Sequence, residues 1–180
     1  MVELQDYLSK RGLLLPTWES VDNAEENKYI KFFNSQFQFD KNYIFISEEN
    51  TGKKFFIHKI FKTLFEQNRN KIEKKTFTLL NDIIPIKDAY FNDHIEFLRL
   101  LKIDYLAIKL YELDKFERKA TRVFIEERMV NQKITYLMTD FVYIDDFDYK
   151  VGLQGIVNKY FTQVVVKNTK TYNTTKKIIL

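Results

Sequence analysis

Cysteine is absent from this chain of 180 residues, and glycine and proline are scarce, at four and two. Without cysteine there is no disulfide, no iron–sulfur cluster and no thiolate zinc site. Gly12, Gly52, Gly152 and Gly155 form no cluster of the kind that lets a backbone approach a ligand closely. The two histidines, His58 and His94, offer little for acid–base catalysis, and no serine or cysteine nucleophile pattern accompanies them. No apolar run approaches the roughly 18 residues of a membrane helix. The opening Met1-Val2-Glu3-Leu4-Gln5-Asp6 lacks the basic-then-apolar order of a secretory leader. The expected location is the cell interior or a virion, neither secreted nor in a membrane.

Aromatic residues are abundant instead. With 17 Phe, 11 Tyr and a hydrophobic fraction of 45%, most of the chain has the means to bury a core. Phe, Tyr, Met, Ile, Asn and Lys make up nearly half of it, a bias that points to an AT-rich genome, as in many bacteriophages. The aromatics exceed what one small core usually takes, so part of them is expected at protein–protein contacts.

Net charge is +4, but it is unevenly placed. The last acidic residue is Asp148; Lys150, Lys159, Lys167, Lys170, Lys176 and Lys177 follow it. The final segment, Lys167 to Leu180, reads KNTKTYNTTKKIIL, a basic, polar stretch with an apolar tip. It is expected to be an extended arm for a partner, with Lys167, Lys170, Tyr172, Lys176 and Lys177 as the contact residues. Those lysines suit phosphates and that tyrosine suits base stacking. Residues 1–166 are read as a single globular domain and 167–180 as the arm.

Periodicity predicts an α+β fold. Leu4, Tyr7 and Leu8 before Gly12 suggest a short helix. Asp22 as an N-cap ahead of Tyr29, Phe32 and Phe33 suggests another. Tyr43-Ile44-Phe45-Ile46 reads as a strand. Residues 55–61 fit either a helix face through Ile57, Ile60, Phe61, Leu64 and Phe65 or a strand face. A helix is expected from Glu73 to Ile84, stopped by Pro85, and another from Asp88 burying Phe91, Ile95, Leu98 and Leu101. Alternation around Leu106–Leu110, Val123–Glu127 and Ile134–Ile144 predicts an antiparallel meander of three to four strands. The N-terminal helices would pack on it, followed by a C-terminal helix near Leu153–Phe161.

Four patterns were weighed for chemistry. The phosphate-loop motif needs a glycine five positions before the second one and a Ser or Thr after the lysine. Ser47 and Lys54 occupy those positions around Gly52-Lys53, and Glu48 and Glu49 add negative charge, so a nucleotide-binding loop is rejected. Asp145, Asp146 and Asp148 with Asp140 form a possible hard-cation cluster, but such residues equally suit a solvated turn. Glu117-Arg118-Lys119 matches a bare nuclease tripeptide, which is common by chance in a chain that is 30% charged. His94 beside Asp93 and Glu96 is more simply a boundary histidine. No catalytic, metal or cofactor residue is therefore assigned.

The resulting expectation is a non-enzymatic structural or assembly protein: a phage virion component such as a head–tail connector or ring, binding copies of itself or neighbouring subunits. A nucleic-acid-binding accessory protein of replication or transcription is the alternative, acting through the arm. A metal-dependent nuclease is the third.

Overall fold

Four short runs of β-branched and aromatic residues, with a fifth and sixth near the C-terminus, line up side by side in one sheet, and all of them run in the same direction. The computed structural model describes residues 28–48, 51–68, 75–141, 144–166 and 177–179. In chain order these form α1 (Lys28–Ser35), β1 (Tyr43–Ile46), α2 (Lys53–Asn68), β2 (Phe77–Leu80), α3 (Ile84–Asn92) and α4 (His94–Leu101). Then come β3 (Tyr105–Leu110), α5 (Lys115–Val130), β4 (Ile134–Thr139), α6 (Ile144–Val151), α7 (Gln154–Tyr160), β5 (Thr162–Val165) and β6 (Lys177–Ile179). The six strands lie in the order β2-β3-β4-β1-β5-β6, and every neighbouring pair is parallel.

The antiparallel meander is thus corrected to a doubly wound α/β sheet. The decisive residues are 115–130. Val123, Ile125 and Glu127 alternate like a strand, but Ala120, Thr121, Phe124, Ile125 and Arg128 are the buried set, spaced for one helix face. Asp114 caps that helix: its side chain accepts from Glu117 N, and the Glu117 carboxylate accepts in return from Asp114 N. This is the capping-box signature, legible as Asp114-x-x-Glu117. With a helix in the connection, β3 and β4 have the long crossover that parallel pairing requires, and they pair in parallel.

Other elements shift for similar reasons. Where a helix is expected from Glu73 to Ile84, the described residues hold strand β2 at Phe77–Leu80, and Pro85 stands in the first turn of α3, where its missing N–H costs nothing. The helix expected from Asp88 is two helices broken at Asp93. That residue caps α4 by accepting from Glu96 N at 3.0 Å, so Phe97, Leu100 and Leu101 are buried while Phe91, Ile95 and Leu98 face outward. Residues 55–61 belong to helix α2, and Ile144 opens helix α6. The strand at 43–46 and the helix near 153–161 lie where expected. The helix at Leu4–Leu8 and the Asp22 cap fall outside the described residues.

Two cores sandwich the sheet. On one face Tyr29, Phe32, Phe56, Ile57, Phe61 and Leu64 from α1 and α2 meet Tyr43, Phe45, Phe77, Tyr136 and Met138. On the other, α3 to α7 pack on Ile44, Leu106, Ile108, Leu137 and Val165. Because both faces are covered, β1 is buried at all four positions, as parallel strands usually are. This accounts for much of the aromatic excess: the rings of Phe37, Phe45, Phe56 and Tyr136 belong to one layer with centroids 5.2–6.5 Å apart across its contacts. Each well-buried Phe there stabilises by roughly 3–5 kcal/mol against truncation to Ala.

The chain leaves β1 toward β2 across two strands, then returns through β3 and β4 to pass β1 on the way to β5. Right-handed crossovers in opposite directions put α2 on one face and the later helices on the other. The reversal opens a crevice at the C-terminal ends of β1 and β4, where ligands of open α/β sheets bind.

Candidate functional site

The crevice is built around Lys53. Strand β1 ends at Ile46, Gly52 turns the chain at φ 89, and Lys53 is the first residue of α2. A side chain at position 52 would be strained in that backbone region. Lys53 is only 6% exposed. Its Nζ donates to Ser47 O and Glu48 O, each at 2.7 Å, and to Ser47 Oγ at 2.9 Å. It also meets Asp140 Oδ1 at 2.7 Å. The ammonium is turned back onto its own loop and onto a carboxylate.

Asp140 stands immediately beyond β4, and its second oxygen meets Lys109 Nζ, near the end of β3, at 2.9 Å. Lys109 also lies over the Tyr111 ring, 4.6 Å from its centroid. Burial works to raise the Asp140 pKa, but hydrogen bonds from Lys109 and Lys53 outweigh it and hold the carboxyl below its ordinary range. Burial likewise works to lower the Lys109 pKa, and the bond to Asp140 overrides it, so the shift is upward. At neutral pH both groups are charged. Tyr29 joins the loop from α1: its hydroxyl pairs with Ser47 Oγ at 2.9 Å, and burial pushes its pKa up to about 12.

Around this bridge lies a cavity of about 370 Å³ lined by residues that include Thr51, Lys53, Lys54, Asn81, Lys109 and Asp140. The strand, glycine-lysine turn and helix are those of a phosphate-binding loop, yet the chemistry for magnesium nucleotide is missing. Such sites use a Ser or Thr hydroxyl after the lysine and an acid across the crevice to hold the ion. Here the residue after the lysine is Lys54, which is exposed, and Lys109 adds a second cation to the crevice. Among the described residues the carboxylate lining the cavity is Asp140, already bound by two ammonium groups. The residues do not fit magnesium nucleotide.

The other sequence candidates lie elsewhere. Lys167, Lys170, Tyr172 and Lys176 fall outside the described residues; Lys177 opens β6, which pairs with β5 from Gln163↔Lys177 onward. Asp145, Asp146 and Asp148 belong to α6, whereas Asp140 follows β4; Asp148 is exposed. Among the described residues no group of three or more His, Asp or Glu is placed to hold a metal ion. The nuclease tripeptide is structural. Glu117 completes the α5 cap and accepts from Lys87 Nζ at 3.0 Å, while Arg118 donates to the carbonyls of Leu113 and Tyr149. His58 is buried in α2, where burial pulls its pKa down to about 4; His94 begins α4 and is exposed. Lys109 and the partnership of Lys53 with Asp140 were missed, because the bridge joins residues far apart in the chain.

No protein-family model matches this chain, and no curated protein matches it. Solved structures do. One is the crystal structure of the DnaC helicase loader, with 17% identity and a TM-score of 0.60 over 85% of this chain and 100% of that one. Another is described as a primosome component from Streptococcus pyogenes serotype M3, with 12% identity and a TM-score of 0.52 over 86% of this chain and 81% of that one. At these identities the likeness is one of fold. Among the described residues no helix is long and apolar enough to cross a membrane. The expectation of a phage head–tail connector, ring or other virion assembly component is overturned: most of the aromatics pack into a two-sided core, and the fold is a P-loop ATPase-like α/β sheet like those of the helicase loader and the primosome component.

Proposed function

We propose that this chain is an accessory protein of DNA replication, of the AAA+-like helicase-loader type, acting inside the cell through contacts with protein and nucleic acid. The observation that carries this reading is the parallel sheet, with Gly52-Lys53 at its reversal point, whose fold resembles the crystallised chain of a helicase loader at a TM-score of 0.60. Two features support the binding roles. Ile84, Phe91, Ile95, Leu98 and Phe116 are large apolar side chains left exposed on α3, α4 and α5, and the Phe91 and Phe116 rings touch at 5.9 Å. Such exposure suits a protein partner. The lysines at 167, 170, 176 and 177 suit phosphates, which makes binding salt-dependent.

The test is binding to single-stranded DNA by fluorescence anisotropy across a salt series, alongside co-elution with the replicative helicase encoded by the same genome. Expected are a helicase complex and DNA binding that weakens steeply with salt and drops at least about tenfold when Lys167, Lys170, Lys176 and Lys177 are replaced by Gln. Absence of both the helicase complex and DNA binding at low salt would remove the proposal.

A further inference from the structure

We infer that the ion bridge Lys53–Asp140–Lys109 takes the place of magnesium nucleotide, so that this chain holds Lys53 in position without nucleotide and does not hydrolyse nucleotide. The inference rests on the fold and the site alone and stands apart from the replication reading.

Three observations converge. The Lys53 ammonium has three protons, and Ser47 O, Glu48 O and Asp140 Oδ1 all lie at 2.7 Å from it. Reaching a phosphate would require breaking these bonds at a site 6% exposed, where an unpartnered charge is costly. Second, Lys109 Nζ stands 2.9 Å from Asp140 Oδ2, so the carboxylate lining the cavity already has an ammonium group on each oxygen. A divalent cation placed there would face two ammonium groups and compete for one engaged carboxylate. Third, Lys54 stands where the metal-binding hydroxyl belongs. In a phosphate-binding loop the ligand neutralises the lysine and ties the loop to the neighbouring strands. Here Asp140 neutralises Lys53 and Lys109 ties β3 into the same bridge. The chain supplies both roles itself.

The experiment uses the intact chain in two arms. In the first, Mg·ATP and Mg·ADP are titrated to millimolar concentration with calorimetry and thermal unfolding as readouts. Expected are no saturable heat and no shift of the unfolding temperature. Saturable micromolar binding that disappears in Lys53→Ala would overturn the inference. In the second, Lys109→Met, Asp140→Asn and the double variant are unfolded in urea. If the bridge exists, the double variant loses at least about threefold less in the folding equilibrium constant than the product of the single losses, as for groups in direct contact. Losses that simply multiply would overturn it. Neither arm involves DNA or a helicase, so its failure is separate from failure of the replication proposal.

Discussion

Each edge of the sheet carries one aspartate clamped between two lysines, and the two clamps serve different ends. At the N-terminal edge Asp104, just ahead of β3, meets Lys133 ahead of β4 at 2.8 Å and Lys75 ahead of β2 at 3.9 Å. At the C-terminal edge Asp140 meets Lys53 and Lys109 at 2.7 and 2.9 Å. The lower clamp joins the starts of three adjacent strands and pins their register. Its lysines reach solvent, at 44% exposure for Lys75 and 29% for Lys133. The upper clamp holds a lysine at 6% inside the crevice where α/β sheets take ligands. The buried cation near the lower edge is instead Arg128. It donates to the carbonyls of Leu100, Leu101, Ile103 and Ile134 and to Thr135 Oγ1, and burial pulls its pKa down to about 9. The same charge pattern is scaffold at one edge and, by the inference above, a substitute for ligand at the other, because at the C-terminal edge the Gly52 turn and the start of α2 carry a buried lysine into the crevice.

The comparison breaks hardest at Arg128. Arg128→Met keeps volume but leaves four strand-end and helix-end carbonyls without their donor, and is expected to cost about 4 kcal/mol in urea unfolding. Next is an acid sensitivity set by the helix of the upper loop. His58 has its pKa lowered to about 4, chiefly by burial with the Lys54 charge adding. Between pH 6.5 and 4 the unfolded chain takes up a proton that the native chain refuses, so stability falls as pH falls. The loss is about 3 kcal/mol by pH 4, and His58→Gln should flatten that slope. Asp140→Asn, which leaves Lys53 buried beside Lys109 with no carboxylate, should cost about 2–3 kcal/mol. Smallest is Asp104→Asn at the wetter edge, about 1–2 kcal/mol by the same measurement. Both carboxyls are held below their ordinary range: burial would raise them, but their lysine partners, with Thr76 at Asp104, prevail. Their contribution is therefore present above the unfolded carboxyl pKa and is lost as pH drops below about 4.

Local signals in the chain went a considerable way. Tyr43–Ile46 as a strand and the helix near 153–161 were legible from periodicity and punctuation. Two markers were present: Asp114-x-x-Glu117, which caps α5 and is outweighed by the alternation of Val123, Ile125 and Glu127, and Pro85, which reads as a helix stop but suits a helix start as well. One helix taken for a strand was enough to turn a parallel sheet into a meander, because strand direction follows from the length and kind of each connection. The site was less legible. The glycine-lysine turn after a strand was noticed and set aside for its two mismatched neighbours. Those mismatches remain real, and the order of strand β1, Gly52, Lys53 and helix α2 stands beside them.

By itself the amino-acid sequence determined that the chain buries a large aromatic core, that no thiol chemistry is open to it, and that positive charge gathers at its C-terminal end. These follow from composition and order, which need no knowledge of what packs against what. Tertiary structure alone decided strand direction, the two-sided burial of the aromatics and the meeting of Lys53, Lys109 and Asp140. Fifty-six residues separate Lys53 from Lys109, and thirty-one more lead to Asp140; no period or motif spans such gaps. Parallel pairing of β3, β4 and β1 brings their C-terminal ends to one edge, and that shared edge is what turns three distant residues into one bridge.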